Sequence, residues 1–376
     1  MQGSSGSTEP AQGLMKVVFR TDASKVIGQG HVMRCLTLAN VLRERGADIN
    51  FICREHPGHL CDLIAQRGFF VHCLPLPDER VDHLPGHSGW LGASWETDAE
   101  QTRQVIQGLG GAADVLVVDH YAVDQSWETA LRPAAGRILA IDDLADRIHH
   151  CDLLLDQNLF FDLSTRYDGK VPPECVKLLG PGYALLQPVY AELHSQVRLR
   201  DGPVRRIFVF FGGADTENLT GLSVNAFQEL GRTDIQLDVV MTEKNSRYQA
   251  IEKAIEGWRN IRLHGALPSL GPLMATADLA IGAGGATVWE RLCLGLPSVV
   301  ISLAENQKPV CGDLARTGLI QYLGHKDEVT MEFLCNALRR VIGLLSIFEW
   351  SRNCYAVCDG KGARRVAGSI FPGPTL

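Results

Sequence analysis

The sequence predicts an α/β fold of two doubly wound, Rossmann-like halves facing a cleft. From Met15 onward, short apolar runs alternate with amphipathic stretches of helical length, the pattern of βαβ units and parallel sheets. Many of the apolar runs end in glycine-rich or polar clusters, as strands do on the ligand side of such sheets. The alternation restarts after a Pro-containing connection, Gln187 to Pro203, and the 376 residues suit two domains of about 100–200 residues each.

In the first half the apolar runs give strands at Lys16–Arg20, Asn50–Arg54, Val71–Leu74, Val115–Asp119, Ile138–Asp142 and Leu153–Leu155. Between them His31–Arg45, His59–Arg67, Trp95–Leu109 and Gln125–Leu131 carry the helical period. Asp78 to Leu91, rich in turn residues and holding two histidines, reads as a loop. The second half opens on the very apolar Arg206–Phe211. Strands follow at Gln236–Met241, Ile261–Leu263, Leu279–Ile281, Ser298–Ile301 and Ile320–Tyr322, with helices between them. Residues 15–195 and 203–376 are the expected domains. Residues 1–14 read as a flexible leader or expression remnant.

With Lys+Arg 36 against Asp+Glu 43 and a net charge of −7, no broad basic face is available for a phosphate backbone, and nucleic acid is not expected as a partner. No run of about 18 apolar residues occurs, and the first residues lack a secretory pattern, so a cytoplasmic protein without a membrane partner is expected. A monomer or weak dimer is the expected assembly. The eleven cysteines have no framework spacing and read as buried thiols. Cys53, His56, His59 and Cys61, followed by His72 and Cys73, invite a metal reading. Pro57 and Gly58 make that stretch a strand-to-helix turn instead, so neither metal nor cofactor is expected.

Gly28-Gln29-Gly30-His31 follows the first strand and opens the first helix, where glycines let the backbone approach a ligand and the helix start favours an anion. The dinucleotide fingerprint is the rival, but Met33 occupies its third glycine position, although Glu55 imitates the ribose-binding acid. His31 is a candidate base, with a loop-bonding histidine as the structural alternative. Nearness to a helix start disfavours its imidazolium. Val117-Val118-Asp119-His120-Tyr121, Asp142-Asp143 and Asp156-Gln157-Asn158 each end an apolar strand and should emerge along the same edge. Adjacent Asp142 and Asp143 face opposite ways and cannot act as a carboxylate pair.

In the second half Gly212-Gly213 and Ala283-Gly284-Gly285 sit in strand-to-helix turns suited to phosphate, though no Gly-Lys-Ser/Thr makes either a P-loop. Thr287 to Glu290 matches a capping box, so Glu290 serves either backbone donors or ribose hydroxyls. Asn306 and Gln307 offer amides to a sugar or phosphate, with a plain N-cap at Asn306 as the alternative. No Asp-x-Asp triplet offers ligands for a divalent ion.

The ordered segments FRTDASKVIGQGHVMRCLTLANVL, VVDHY, LAIDDLADRIHHCDLLLDQN, FVFFGGAD, GAGGATVWERLCLGLPSVVI and ENQ resemble the UDP-sugar hydrolases of pseudaminic acid biosynthesis, which act on UDP-2,4-diacetamido-2,4,6-trideoxy-β-L-altropyranose. The resemblance runs from Met15 to about Gly362. It implies a GT-B architecture, a metal-independent reaction releasing UDP and the free sugar, His31 as the general base and Tyr121 as a second catalytic residue. The expected substrate set is Asp22, Gly28, Gly30, Arg34, Asp119, Asn158, Asn306 and Gln307, of which the resemblance itself places Asn306 and Gln307. The UDP set is Gly212, Gly213, Leu267, Ala283, Gly284, Gly285, Thr287 and Glu290. Asp78 to Glu100 and the tail beyond Met331 are longer than in compact members, and the tail is expected to cross back to the first half. A GT-B glycosyltransferase and a non-catalytic nucleotide-sugar binding protein are the alternatives.

Overall fold

The computed structural model describes residues 14–77 and 87–371. The expected leader, apart from Leu14, and the Asp78–Gly86 part of the expected loop lie outside them.

The first seven strands are β1 (Lys16–Thr21), β2 (Asp48–Arg54), β3 (Phe70–Leu74), β4 (Ala113–Asp119), β5 (Ala135–Ile141), β6 (Leu153–Asp156) and β7 (Val176–Leu179). They form one sheet in the order β3-β2-β1-β4-β5-β6-β7, with every pair parallel. Such a sheet needs cover on both faces. Alternation along β1 sends Val17 and Phe19 into one core and Val18 into the other. Helices α1 (Gly30–Glu44) and α2 (Cys61–Gln66) cover the first face, while α3 (Trp95–Gly108) and α4 (Gln125–Leu131) cover the second. Ser94 caps α3 through the Thr97 N–H, and Asp124 caps α4 through Ser126 and Trp127.

After α5 (Pro188–Gln196) come β8 (Arg206–Phe210), α6 (Leu219–Glu229), β9 (Gln236–Val240), α7 (Tyr248–Ala254), β10 (Ile261–His264) and α8 (Gly271–Thr276). Then follow β11 (Leu279–Ala283), α9 (Thr287–Cys293), β12 (Ser298–Ser302), α10 (Gln307–Arg316), β13 (Gln321–His325), α11 (Met331–Ile342), α12 (Phe348–Tyr355) and α13 (Gly362–Ile370). The six strands form a second parallel sheet in the order β10-β9-β8-β11-β12-β13.

Two elements differ from the sequence expectation. The stretch from Gln187, read as a connection because of its proline, begins with α5, where Pro188 takes a first-turn position that needs no N–H donor. β7 was not predicted, because this four-residue edge strand keeps only Leu178 buried and so shows no apolar run. The tail does return: Ala363, Val366, Ala367 and Ile370 of α13 lie in the same core as α1. Fully burying side chains such as Val366 and Ile370 contributes about 1.5–3 kcal/mol each.

Candidate functional site

In both sheets the strand order reverses between two neighbours, β1 and β4 in the first and β8 and β11 in the second. Ligands bind outside the carboxyl ends of the strands at such reversals. His31 stands just after β1 and Asp119-His120-Tyr121 at the end of β4, while Gly212-Gly213 follows β8 and Ala283-Gly284-Gly285 follows β11. These four clusters therefore stand at the reversal points, while Asp142-Asp143, Asp156-Gln157-Asn158 and Asn306-Gln307 end or follow the neighbouring strands β5, β6 and β12.

The two points meet across the cleft. Gln29, beside His31, lies close enough to Gly213 that a Cβ there would sit 3.4 Å from its Oε1. The Asn306 amide lies 3.4 Å from the Tyr121 hydroxyl, and the Trp289 indole donates to Asn158 Oδ1 at 3.2 Å. Two turns hold glycines at φ +83° (Gly28) and +92° (Gly212), which side chains with a Cβ rarely adopt.

His31 Nδ1 is 2.6 Å from Asp119 Oδ1. A carboxylate there fixes the ring with its proton on Nδ1 and leaves Nε2 with a free lone pair, and no described residue bonds Nε2. Asp119 also takes two bonds from Arg34, at 2.6 and 2.7 Å. Burial alone would raise this carboxyl, but Arg34 and His31 hold it well below the usual carboxylate range. The Tyr121 ring stands edge-on to His31 at 4.6 Å and its hydroxyl donates to Asp143 Oδ1 at 2.5 Å. Burial, then the Asp143 charge, push the Tyr121 phenol up, so it stays a donor.

Three of the expected substrate residues are bonded mainly to other side chains in this structure. Asp22 is fully buried, accepts the Arg54 N–H at 2.6 Å and pairs with Arg20 at 2.7 Å, so its carboxylate is directed into the protein. Asp119 is also fully buried, and both its oxygens are occupied by His31 and Arg34. Arg34 itself divides between Asp119 and Asp143. These groups hold the site in shape and leave little to offer a ligand. Beneath them Arg20, Arg54 and the Trp127 indole all converge on buried Asp98. Sequence reasoning missed that network because its members lie on separate elements with no shared spacing. Asp143 was legible only as half of an Asp pair at a strand end.

On the other side of the cleft the capping box does not form. Ala286 occupies the N-cap of α9 with no side-chain bond, and Glu290 lies beside the Tyr190 phenol with its Oε2 buried and unpartnered. Burial raises the Glu290 carboxyl to about 7 against the pull of Tyr190 and Arg291. Gln307 accepts the Leu303 N–H and lies against Gly284 and Gly285. A Cβ at Gly284 would collide with Cys311 Sγ at 2.3 Å, so glycine is required there. Asn306 sits at the N-cap of α10 but makes no side-chain cap bond, which leaves its amide for Tyr121. Thr287 opens α9, and Leu267 is 38% exposed on the loop after β10. Gly30 begins α1 with open space around it.

All eleven cysteines are free thiols. No group of three His, Cys, Asp or Glu side chains among the described residues is placed to hold a metal ion. No helix among them is long and apolar enough to cross a membrane.

No family model matches the chain. A UDP-2,4-diacetamido-2,4,6-trideoxy-β-L-altropyranose hydrolase of Campylobacter jejuni is 28% identical over 306 residues, which cover 81% of this chain and 97% of that protein. A UDP-N-acetylglucosamine–N-acetylmuramyl-(pentapeptide) pyrophosphoryl-undecaprenol N-acetylglucosamine transferase of Acidithiobacillus ferrooxidans is 23% identical over 374 residues, 91% of this chain and 94% of that one. Among solved structures, MurG of Acinetobacter baumannii matches with a TM-score of 0.65 at 14% identity, covering 94% of this chain and 98% of its own. The chain thus has the two-sheet GT-B fold and is similar in sequence to a UDP-2,4-diacetamido-2,4,6-trideoxy-β-L-altropyranose hydrolase.

Proposed function

We propose that this protein hydrolyses a UDP-sugar at its anomeric carbon, releasing UDP and the free sugar, with UDP-2,4-diacetamido-2,4,6-trideoxy-β-L-altropyranose as the substrate. The observation that carries the reading is the His31–Asp119 pair at the first reversal point, opposite the glycine turns of the second. The named activity of the Campylobacter jejuni relative supports the choice of reaction and sugar.

In this reading, the backbone of the Gly212-Gly213 and Gly284-Gly285 turns faces the diphosphate, because N–H groups at the start of a helix lack intrahelical partners and favour anions. Glu290, with an unpartnered buried oxygen, accepts from the ribose hydroxyls, and Leu267 flanks the base. The sugar then lies between His31 and Asn306.

His31 Nε2 takes a proton from a water on the face opposite the diphosphate. As the water oxygen bonds to the anomeric carbon, the bond from that carbon to the diphosphate oxygen breaks. Its electron pair leaves with UDP and the configuration inverts. Asp119 stabilises the imidazolium formed at that moment and keeps its Nε2 aimed outward. The Tyr121 phenol, kept protonated and shared between Asp143 and Asn306, offers a neutral hydrogen bond beside the reacting centre. A bound diphosphate leaves as an anion its subsite already stabilises, so this scheme assigns no general acid.

The test is ¹H and ³¹P NMR of the protein with this UDP-sugar in ¹⁸O-labelled water containing EDTA. Labelled free sugar with unlabelled UDP supports attack of water at carbon. Bound UDP-sugar without turnover overturns hydrolysis and favours a transferase awaiting its acceptor.

A further inference from the structure

We propose that Trp90, backed by His87, is the wall of a sugar subsite that receives the apolar C–H face of the pyranose, and so selects deoxy sugars over hydroxylated ones. The inference rests on the UDP-sugar reading and adds to it which part of the substrate is recognised by stacking.

Trp90 belongs to the 3-10 turn Ser88–Leu91, in a stretch whose sequence has neither helical nor strand period. The turn is nevertheless firmly placed. Leu91 is buried, and Gly92 follows at φ +68°, where a Cβ would lie 2.7 Å from His56 Cε1. The Trp90 residue beside this anchor remains partly exposed.

Its surroundings tie it to the reacting centre. The Trp90 ring lies 5.6 Å from Tyr121, inclined by 30°, and 6.5 Å from His31, which it meets edge-on at 84°. His87 packs against both Trp90, at 4.5 Å and 77°, and Tyr121, at 5.0 Å. The groups that hold His31 from the other side, Asp119 and Arg34 with Asp143, are all charged. With the Tyr121 ring, the indole thus gives an aromatic surface beside His31, next to these ion pairs. Burial pulls the His87 imidazole below its usual range, with Arg147 and His31 adding to the effect against Asp146 and Asp143. A neutral ring backing the indole does not bring charge to the wall.

An aromatic face is electron-rich, and the C–H groups of a pyranose present a weakly positive, apolar surface to it. A methyl in place of a hydroxymethyl enlarges that surface, whereas a hydroxyl set against indole loses a hydrogen bond to water. A trideoxy sugar, as in the name of the Campylobacter jejuni relative, fits such a wall better than its hydroxylated counterpart.

The test is calorimetric binding in a His31→Asn background, where turnover should be slowed about 10²–10⁴-fold, using UDP, UDP-2,4-diacetamido-2,4,6-trideoxy-β-L-altropyranose and UDP-N-acetylglucosamine. With Trp90 intact the trideoxy ligand should bind more tightly than either of the others. Trp90→Ala should weaken the trideoxy ligand about 3–10-fold, leave UDP within about twofold and erase the preference over UDP-N-acetylglucosamine. Trp90→Phe should restore most of it. An equal loss for UDP and the trideoxy ligand, or an unchanged preference, overturns the subsite, as does a trideoxy ligand that binds no better than UDP when Trp90 is present. UDP binding reports folding of each variant, and Trp90→Gln, which keeps bulk without an aromatic face and should show the same loss, carries the test if Trp90→Ala does not fold. The two readings fail separately. Absence of labelled sugar from the unmutated protein removes hydrolysis, while a preference that ignores Trp90 removes the subsite.

Discussion

The Tyr121 hydroxyl and the Asn306 amide meet 3.4 Å apart, one at the end of a strand in the first sheet and the other at the start of a helix in the second. Tyr121 also donates to Asp143 at 2.5 Å, and Gln307, next to Asn306, touches the glycine turn after β11. A group proposed to face the sugar is therefore linked to a turn proposed to hold UDP. Asn306→Ala should lower kcat/KM for the UDP-sugar by about tenfold, in line with the loss of one hydrogen bond near 1.4 kcal/mol, while Kd for UDP alone changes by less than about threefold. Steady-state kinetics beside calorimetry checks this, and an equal loss in both quantities would place Asn306 in UDP binding only.

His31→Asn should reduce kcat by about 10²–10⁴-fold and leave UDP affinity intact, because the residue lies across the cleft from the turns proposed to hold UDP. Asp119→Asn should reduce kcat over the same range, since an amide no longer stabilises the imidazolium or fixes its tautomer. The double variant should be no worse than about threefold below the poorer single one if the two act as a unit. Additive losses in a rapid-quench comparison would separate them.

Glu290 predicts a pH dependence of UDP binding. Its carboxyl, raised by burial to about 7, is largely protonated at pH 6 and ionised at pH 8, and only the ionised form accepts from both ribose hydroxyls. UDP affinity should therefore rise with pH across this window by up to about tenfold more than in Glu290→Gln. Calorimetry at pH 6, 7 and 8 measures it, with the variant removing the ionisation of UDP itself from the comparison. Parallel pH curves for the two proteins would show that Glu290 does not meet the ribose.

His149 predicts a pH dependence of stability. Burial lowers its imidazole, but the Asp142 carboxylate near its Nε2 and the Glu128 carboxylate bonded at its Nδ1 raise it to about 9, above the unfolded value near 6.5. A raised folded value means that the stabilisation is fully present below about pH 6.5 and is lost as pH climbs through 9. His149→Gln should be less stable than the unmutated protein by about 1–3 kcal/mol at pH 6, with the gap closing by pH 10. Urea unfolding midpoints along that range decide the matter, and a gap constant with pH would show that the loss is one of packing.

Much of the architecture was legible because β1, β4, β8 and β11 are buried on both faces and therefore stand out as apolar runs followed by glycine or polar residues. The same grammar located His31, Tyr121 and the glycine turns. The inward role of Asp22, Asp119 and Arg34 was not legible, because a strand-end carboxylate reads the same whether it meets a ligand or a buried arginine 85 residues away. Trp90 and His87 were passed over for a related reason. Their turn has no period, and only its buried Leu91 and its close-fitting Gly92 give it a place.

The return of α13 to pack on α1 also bears on synthesis. The first sheet leaves the ribosome early, yet four apolar side chains of its core, Ala363, Val366, Ala367 and Ile370, are made only after the whole second sheet. While the second half is being translated, α1 exposes the patch they will cover, and a nascent chain with an uncovered apolar patch is a substrate for chaperones and a seed for aggregation. The half that begins to fold first is the half that finishes last, so nonsense or frameshift changes near residue 360 should damage the fold of the N-terminal half while leaving the sheet closest to the lesion largely formed.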